Sequence, residues 1–212
     1  GRDVEGPHIL KRNEAYYLLA AEGGTGVGHM ITMFKSANLW GPFEDTPGIN
    51  PLFTNRDRAN EPLQNIGHAD LFQDTEENWW LTCLGTRPST IEFKQITNMG
   101  RETLLYPVIW DKEWPEINHG LPSEIVDMTS FPSHQRVLVN QQKLTSFYDN
   151  FEQETLHPEW LSLRDTLGED VLLKNNTLTI KGRPTTVEQE ATPAFLGIRQ
   201  TEKAESFTVN VA

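Results

Sequence analysis

Glu5 is the residue best placed by type for chemistry. It stands on a Gly6-Pro7 corner, a strand-like run carrying Tyr16 and Tyr17 follows, and a loop of four glycines, Gly23, Gly24, Gly26 and Gly28, ends at His29. Pro7 pushes Gly6 away from the α region and glycine accepts a tight extended bend, so Glu5 is expected at a strand end. A carboxylate on a rigid element beside aromatic and glycine surfaces suits general acid work on a sugar. The plainer alternative is a surface glutamate before a turn, the commoner situation for Glu.

The other candidates are weighed in the same way. Gly24-x-Gly26-x-Gly28 is spaced like a nucleotide loop, but no Lys-Ser/Thr follows and Met30–Phe34 has the pattern of a strand. Without a helix N-terminus to hold a phosphate, that function is excluded, and a loop allowing close approach of a ligand to the backbone is retained. His8, His29 and His68 each follow or nearly follow a glycine, but their spacing is not that of zinc ligands and no cysteine accompanies them. His68 is either a site residue or a satisfied buried histidine. Arg101-Glu102 after Gly100 is either a pair lining a cleft or an ordinary surface pair. The surplus aromatic rings are either sugar-stacking platforms or core.

These residues need a scaffold, and composition bounds it. A chain of 212 residues with 37% hydrophobic residues and frequent Gly, Pro, Trp and Phe suits a β-rich globular protein. Its net charge of −12 argues against nucleic acid or an anionic membrane as partner. No apolar run approaches the roughly 20 residues that span a bilayer. The lone Cys83, in the apolar run 79–84, is expected in the core, and one cysteine makes no internal disulfide. Asn175-Asn176-Thr177 is a glycosylation sequon. The chain opens directly in patterned sequence without an initiating Met, so an upstream segment is expected.

Taken in order, the chain echoes itself. A run beginning at Gly6 turns at Arg12-Asn13-Glu14 and resumes at Tyr16-Tyr17. A run beginning at Gly67-His68 turns at 74–78 and resumes at Trp79-Trp80. A weaker third copy runs from Arg101 to Trp110, turns at Asp111-Lys112-Glu113 and resumes at Trp114. Repeated antiparallel hairpins predict propeller blades, with a meander of unrelated hairpins as the alternative. Prolines and a lost period predict a surface linker over 118–146. Beyond it, runs at Trp160–Arg164, Val171–Lys174, Leu178–Lys181 and Phe207–Val211 predict strands of a β-sandwich cut short.

Glu5-Gly6-Pro7-His8 with Tyr16-Tyr17, Glu22-Gly23-Gly24-Thr25, Gly67-His68-Ala69-Asp70 and Gly100-Arg101-Glu102-Thr103 together resemble glycoside hydrolase family 43. The likeness is to its β-xylosidase and α-L-arabinofuranosidase members, particularly of fungal type. Leu39-Trp40-Gly41-Pro42-Phe43 and the late Pro193-Ala194-Phe195 with Arg199-Gln200 are similar as well. The resemblance implies an all-β fold: the later blades of a five-bladed β-propeller over 1–117, a linker over 118–146 and a partial concanavalin-like sandwich over 147–212. It implies an inverting, secreted glycosidase acting on xylose- and arabinose-containing polysaccharides, with Glu5 as general acid. Thr25, His29, His68 and Arg101 are the expected substrate contacts. His68 is also expected to meet a structural calcium ion, directly or through its waters.

The family's aspartate base and its second, acid-tuning aspartate belong to motifs that precede Glu5, and neither is found here; Asp70 belongs to a different motif. An inverting mechanism needs two carboxyls roughly 6.5–9.5 Å apart. Upstream blades, in cis or as a separate chain, are therefore expected partners, beside the pentose-containing glycan. The rival from another class is a non-catalytic carbohydrate-binding or structural chain that keeps the cleft without the chemistry.

Overall fold

A computed structural model describes residues 2–92, 94–138 and 146–211, which are β-rich with little helix. The chain divides into two compact units, Gly1–Gln141 and Gln142–Ala212.

In the first unit, β1 (Glu5–Arg12), β2 (Ala15–Glu22) and β3 (Met30–Ser36) form an antiparallel three-stranded sheet in sequence order. The β1–β2 turn is Asn13-Glu14, with φ of 47° and 64°, the two left-handed residues that a two-residue hairpin needs. A second sheet joins β4 (Gln64–Gln73) and β5 (Trp79–Thr86). The small hairpin β6 (Ser89–Ile91) and β7 (Lys94–Ile96) follows, and β8 (Glu102–Ile109) and β9 (Glu116–Ile117) then complete the second sheet in the order β4-β5-β8-β9. The run from Arg101 does turn back as a hairpin, β8 pairing antiparallel with β9, but it joins the second sheet instead of opening a new one, with Trp79 opposite Val108 and Gly85 opposite Glu102.

The core lies between the two sheets. Alternate residues of β2, Ala15, Tyr17 and Leu19, with Ile31 and Met33 of β3, meet Ile66, Ala69, Leu71, Leu81, Cys83, Tyr106 and Val108. This period of two is what a strand with one buried face requires. Cys83 is 1% exposed, and burial pushes its thiol up to about 12, so it is the inert core residue expected. Part of the aromatic surplus is also core: Trp110 packs edge-on against Tyr17 and Trp79, at centroid distances of 5.1 and 4.9 Å. Trp40, 92% exposed, stands apart from that cluster.

The stretch expected as a linker is not loose up to Leu138. A short 3-10 turn at Met128–Ser130 leads into α1 (Pro132–Leu138). Phe131 and His134 are buried, with the His134 ring 4.7 Å from that of Trp80 and its Nε2–H donating to Trp79 O at 2.9 Å. The segment covers Trp80, whose side chain leaves the opposite face of β5 from Leu81. Residues 139–145 of the expected linker lie outside the described residues.

The second unit contains two short ladders, β10 (Leu161–Ser162) with β13 (Leu196–Gly197) and β11 (Val171–Lys174) with β12 (Thr177–Ile180). Val171, Leu173 and Trp160 line an apolar cavity of about 340 Å³. The strand expected at Phe207–Val211 does not form: Phe207, Val209 and Val211 are 69%, 60% and 89% exposed, with no apolar face for the alternation to bury against.

Asp74 ties the β4–β5 turn together. It accepts from the backbone N–H of Glu76 and Asn78 and from Trp80 Nε1, at 2.8, 3.0 and 2.8 Å. Burial works against its ionisation, but bonds from Trp80, Asn78 and Glu76 outweigh it and hold the carboxyl at about 2. A carboxyl depressed in the folded state stabilises above its unfolded value of 3.8, and this support is lost as pH falls towards 2. Asp74→Ala is expected to destabilise the fold by about 1–3 kcal/mol at pH 7, and by progressively less on acidification, measured by thermal melts across that range.

Candidate active site

Glu5 and His68 are brought together by irregularities in two strands. In β1 the register passes from Glu5↔Ala21 to His8↔Leu19, so three steps on β1 face two on β2. One extra residue bulges out at Gly6-Pro7, where Gly6 has φ +55° and Pro7 has no N–H to lose from the ladder. β4 does this twice, between Gln64 and Gly67 and again between Gly67 and Asp70. Asn65 and His68 there take φ of 59° and 54°, a region few non-glycine residues enter. Bulges re-aim side chains, and those at Gly6-Pro7 and at His68 turn Glu5 and His68 toward each other across the sheets.

The result is a pair of crossed carboxylate–imidazole contacts. Glu5 Oε1 lies 3.5 Å from His68 Nδ1, and Asp70 Oδ1 lies 3.4 Å from His8 Nδ1. Both are half exposed, with the Glu5 and His68 side chains at 44% and 41%. The His68 ring rests on Gly6, where an added Cβ would fall 2.9 Å from Nε2.

His29 is buried beneath this pair, at 1% exposure. Its ring lies where Gly67 has no side chain: a Cβ there would be 2.2 Å from Nε2. Its Nδ1 is 3.0 Å from Asn65 O, so the proton sits on Nδ1 and donates to that carbonyl, leaving Nε2 as an acceptor. Nε2 is buried without a hydrogen-bond partner among the described residues. Burial lowers the His29 pKa, against the bond to Asn65 and the charge of Glu5, while the charges of His68 and Arg101 add to the lowering. Burial thus favours the neutral His29 imidazole, and Glu5, His68 and Arg101 stand close enough to act on it electrostatically. Its own N–H donates to Gly26 O at 3.0 Å and its carbonyl accepts from Thr54 Oγ1 at 2.8 Å, which fixes its backbone.

The glycine loop closes on itself, since a Cβ on Gly23 would fall 2.0 Å from Gly28 O. Thr25 stands exposed on this loop. Arg101 is exposed just before β8. Its neighbour Glu102 pairs instead with Arg87 in a two-pronged contact of 3.0 and 2.8 Å. Arg87, Asn65 and the His8–Asp70 pair were not singled out from the sequence. Only Asn65 carried a usable sign, since Asn before an apolar residue and glycine is one of the few residue types that tolerates the left-handed region.

Calcium takes six to eight oxygen ligands. Among the described residues no three His, Cys, Asp or Glu side chains converge as a metal site, so the groups around His68 do not by themselves fit that ion.

Residues 2–115 match the model of glycosyl hydrolases family 43, and residues 148–212 match that of the beta xylosidase C-terminal concanavalin A-like domain. A non-reducing end alpha-L-arabinofuranosidase of Bacteroides ovatus is 37% identical over 204 residues, covering 94% of this chain and 37% of the relative. A xylosidase/arabinosidase of Butyrivibrio fibrisolvens is 36% identical over 210 residues, 96% of this chain and 38% of the relative. The crystal structure of xylan beta-1,4-xylosidase from Bacillus halodurans superposes with a TM-score of 0.77 at 28% identity, covering 95% of this chain and 38% of that one. The chain thus spans less than two-fifths of the length of these relatives.

A methyl group at Gly67 has no room beside His29, so Gly67→Ala is expected to cost about 1–3 kcal/mol, read from the denaturation midpoint. A histidine with a lowered folded pKa lends stability that is full above the unfolded value of 6.5 and declines as pH falls below it. His29→Gln is expected to flatten that decline, measured by melts between neutral and mildly acidic pH.

Proposed function

The chain belongs to glycosyl hydrolases family 43, and on that premise we propose that it carries the general acid of an inverting glycosidase releasing xylose or arabinose from xylan-type polysaccharides. The observation that supports this most is the Glu5 carboxyl, re-aimed by a bulge and held 3.5 Å from His68 beside a buried neutral histidine. In this reading Glu5 gives its proton to the glycosidic oxygen as the C–O bond breaks. A water activated by a second carboxylate attacks the anomeric carbon from the opposite face. His68 orients the Glu5 carboxyl. Arg101 offers guanidinium donors in fixed geometry to sugar hydroxyls, and the exposed Thr25 hydroxyl reaches the substrate from the glycine loop.

The two sheets of the first unit are, on this proposal, later blades of a five-bladed propeller, and the second unit is part of a sandwich. The base and the acid-tuning aspartate lie outside Gly1–Ala212, in line with a chain spanning 37% and 38% of two glycosidase relatives. The enzyme works outside the cell, where its polymeric substrate is.

In the enzyme carrying the upstream segment, Glu5→Gln is expected to slow hydrolysis of xylo-oligosaccharides by roughly 10²–10⁴-fold while sparing binding. Near-normal turnover by that variant would remove Glu5 from the acid role. Arg101→Ala is expected to raise KM for the same substrates by about 10-fold, the loss of one charge-assisted bond. Gly1–Ala212 alone is expected to leave chromogenic xyloside and arabinofuranoside uncleaved, and to gain activity when the upstream segment is co-expressed. Turnover by the isolated chain, lost on Glu5→Gln, would place the base within these residues.

A further inference from the structure

Asn175-Asn176-Thr177 is the only Asn-x-Ser/Thr triplet in the 212 residues. In the structure it forms the tip of the β11–β12 hairpin, between the paired Lys174 and Thr177. Asn175 and Asn176 have φ of 51° and 58°, the two left-handed positions of a type I′ turn, which Asn tolerates. All three residues are exposed. Asn176 is committed to the protein, its Nδ2 donating to Glu152 Oε1 at 3.1 Å. Thr177 Oγ1 donates to Asn175 O at 3.2 Å, so the hydroxyl of the triplet stands against the backbone of its first residue.

The strands behind the tip are two-faced. Val171 and Leu173 turn inward to the cavity they share with Trp160, while Leu172 and Lys174 face solvent, Leu172 at 55% exposure. A bulky polar group on the Asn175 side chain would therefore project from the tip and leave the apolar face undisturbed.

We propose that Asn175 is an N-glycan acceptor, taking its oligosaccharide from a lipid-diphosphate-linked donor. In the transfer the amide Nδ2 forms a bond to the anomeric carbon of the first sugar. The bond from that carbon to the diphosphate oxygen breaks, the lipid diphosphate leaves with the electron pair, and one amide proton passes to a base of the transferase. The glycan adds a hydrated cover beside Leu172 on the outward face. The inference rests on export of the chain and is independent of Glu5 and its chemistry.

The test is secretion of Gly1–Ala212 from yeast behind a heterologous leader, with intact mass measured before and after treatment with peptide N-glycosidase. One glycan is expected, its release leaving Asp at position 175. Asn175→Gln and Thr177→Ala are expected to abolish it, and Thr177→Ser to retain it. The glycosylated chain is expected to melt cooperatively at the temperature of the Asn175→Gln chain. A secreted chain without the enzyme-sensitive mass overturns the proposal, and so does a glycan found only on chains that have lost cooperative melting. The fate of the glycosidase reading is decided separately, by the Glu5→Gln kinetics.

Discussion

Two bare glycine α-carbons hold this site together. Gly67 leaves the space that the His29 ring fills, and Gly6 leaves the space on which the His68 ring rests. The His29 ring has little freedom to retreat, because its backbone is bonded on both sides, to Gly26 and to Thr54, and its Nδ1 to Asn65. A Cβ 2.2 Å from the ring would meet a side chain with its rotamer already determined, not a flexible tip. The glycines thus set where the imidazoles stand and hence which of them meets the Glu5 carboxylate.

Burial then differentiates the two imidazoles. His29, out of water, loses the hydration that favours its charged form, and the lowering by burial outweighs the attraction of Glu5. His68 keeps two-fifths of its side chain in solvent and faces the carboxylate directly. One ring is a buried neutral acceptor and the other a partner to the Glu5 carboxylate, although each directly follows a glycine. Residue type alone does not separate these roles; depth does.

Much of the scaffold was legible from local pattern. The hairpins around Asn13-Glu14 and 74–78, the strand after His29 and the ladder at Val171–Lys174 all follow from alternation and turn residues within a short span. Sheet membership was not legible. The run from Arg101 does form its hairpin, but the β6–β7 excursion that separates it from β5 hides that its first strand pairs with the free edge of β5. The packing inside the stretch expected as a linker was hidden for the converse reason: Phe131 and His134 lie in an aperiodic stretch and are buried where Trp80 offers a surface, and the division between the two units falls after them, at 141–142. In the site, the place of Glu5 at the end of a strand was readable from the Gly6-Pro7 corner. The bulges that aim Glu5 and His68, and the Arg87–Glu102 and His8–Asp70 pairs, depend on register between distant segments and leave no mark in local spacing.

The site also cannot be separated from the core beneath it. Glu5 belongs to the first sheet and His68 to the second, so their 3.5 Å contact exists only while the sheets are packed. That packing is made by Tyr17, Leu19, Ile31 and Met33 on one side and by Ile66, Leu71, Leu81 and Cys83 on the other, most of them fully buried. The contact itself, half exposed, contributes little to folding, because a solvent-exposed ion pair gains at most about 1 kcal/mol. Burial of each of those apolar side chains contributes roughly 1.5–3 kcal/mol. The energetic order is therefore one-directional: the core holds the two sheets in place, the bulges convert that placement into an aim, and the carboxylate–imidazole geometry is the consequence rather than the cause. A left-handed His68 is tolerable under the same order, since a strain of about 1–3 kcal/mol is small against a core that over-determines the strand carrying it.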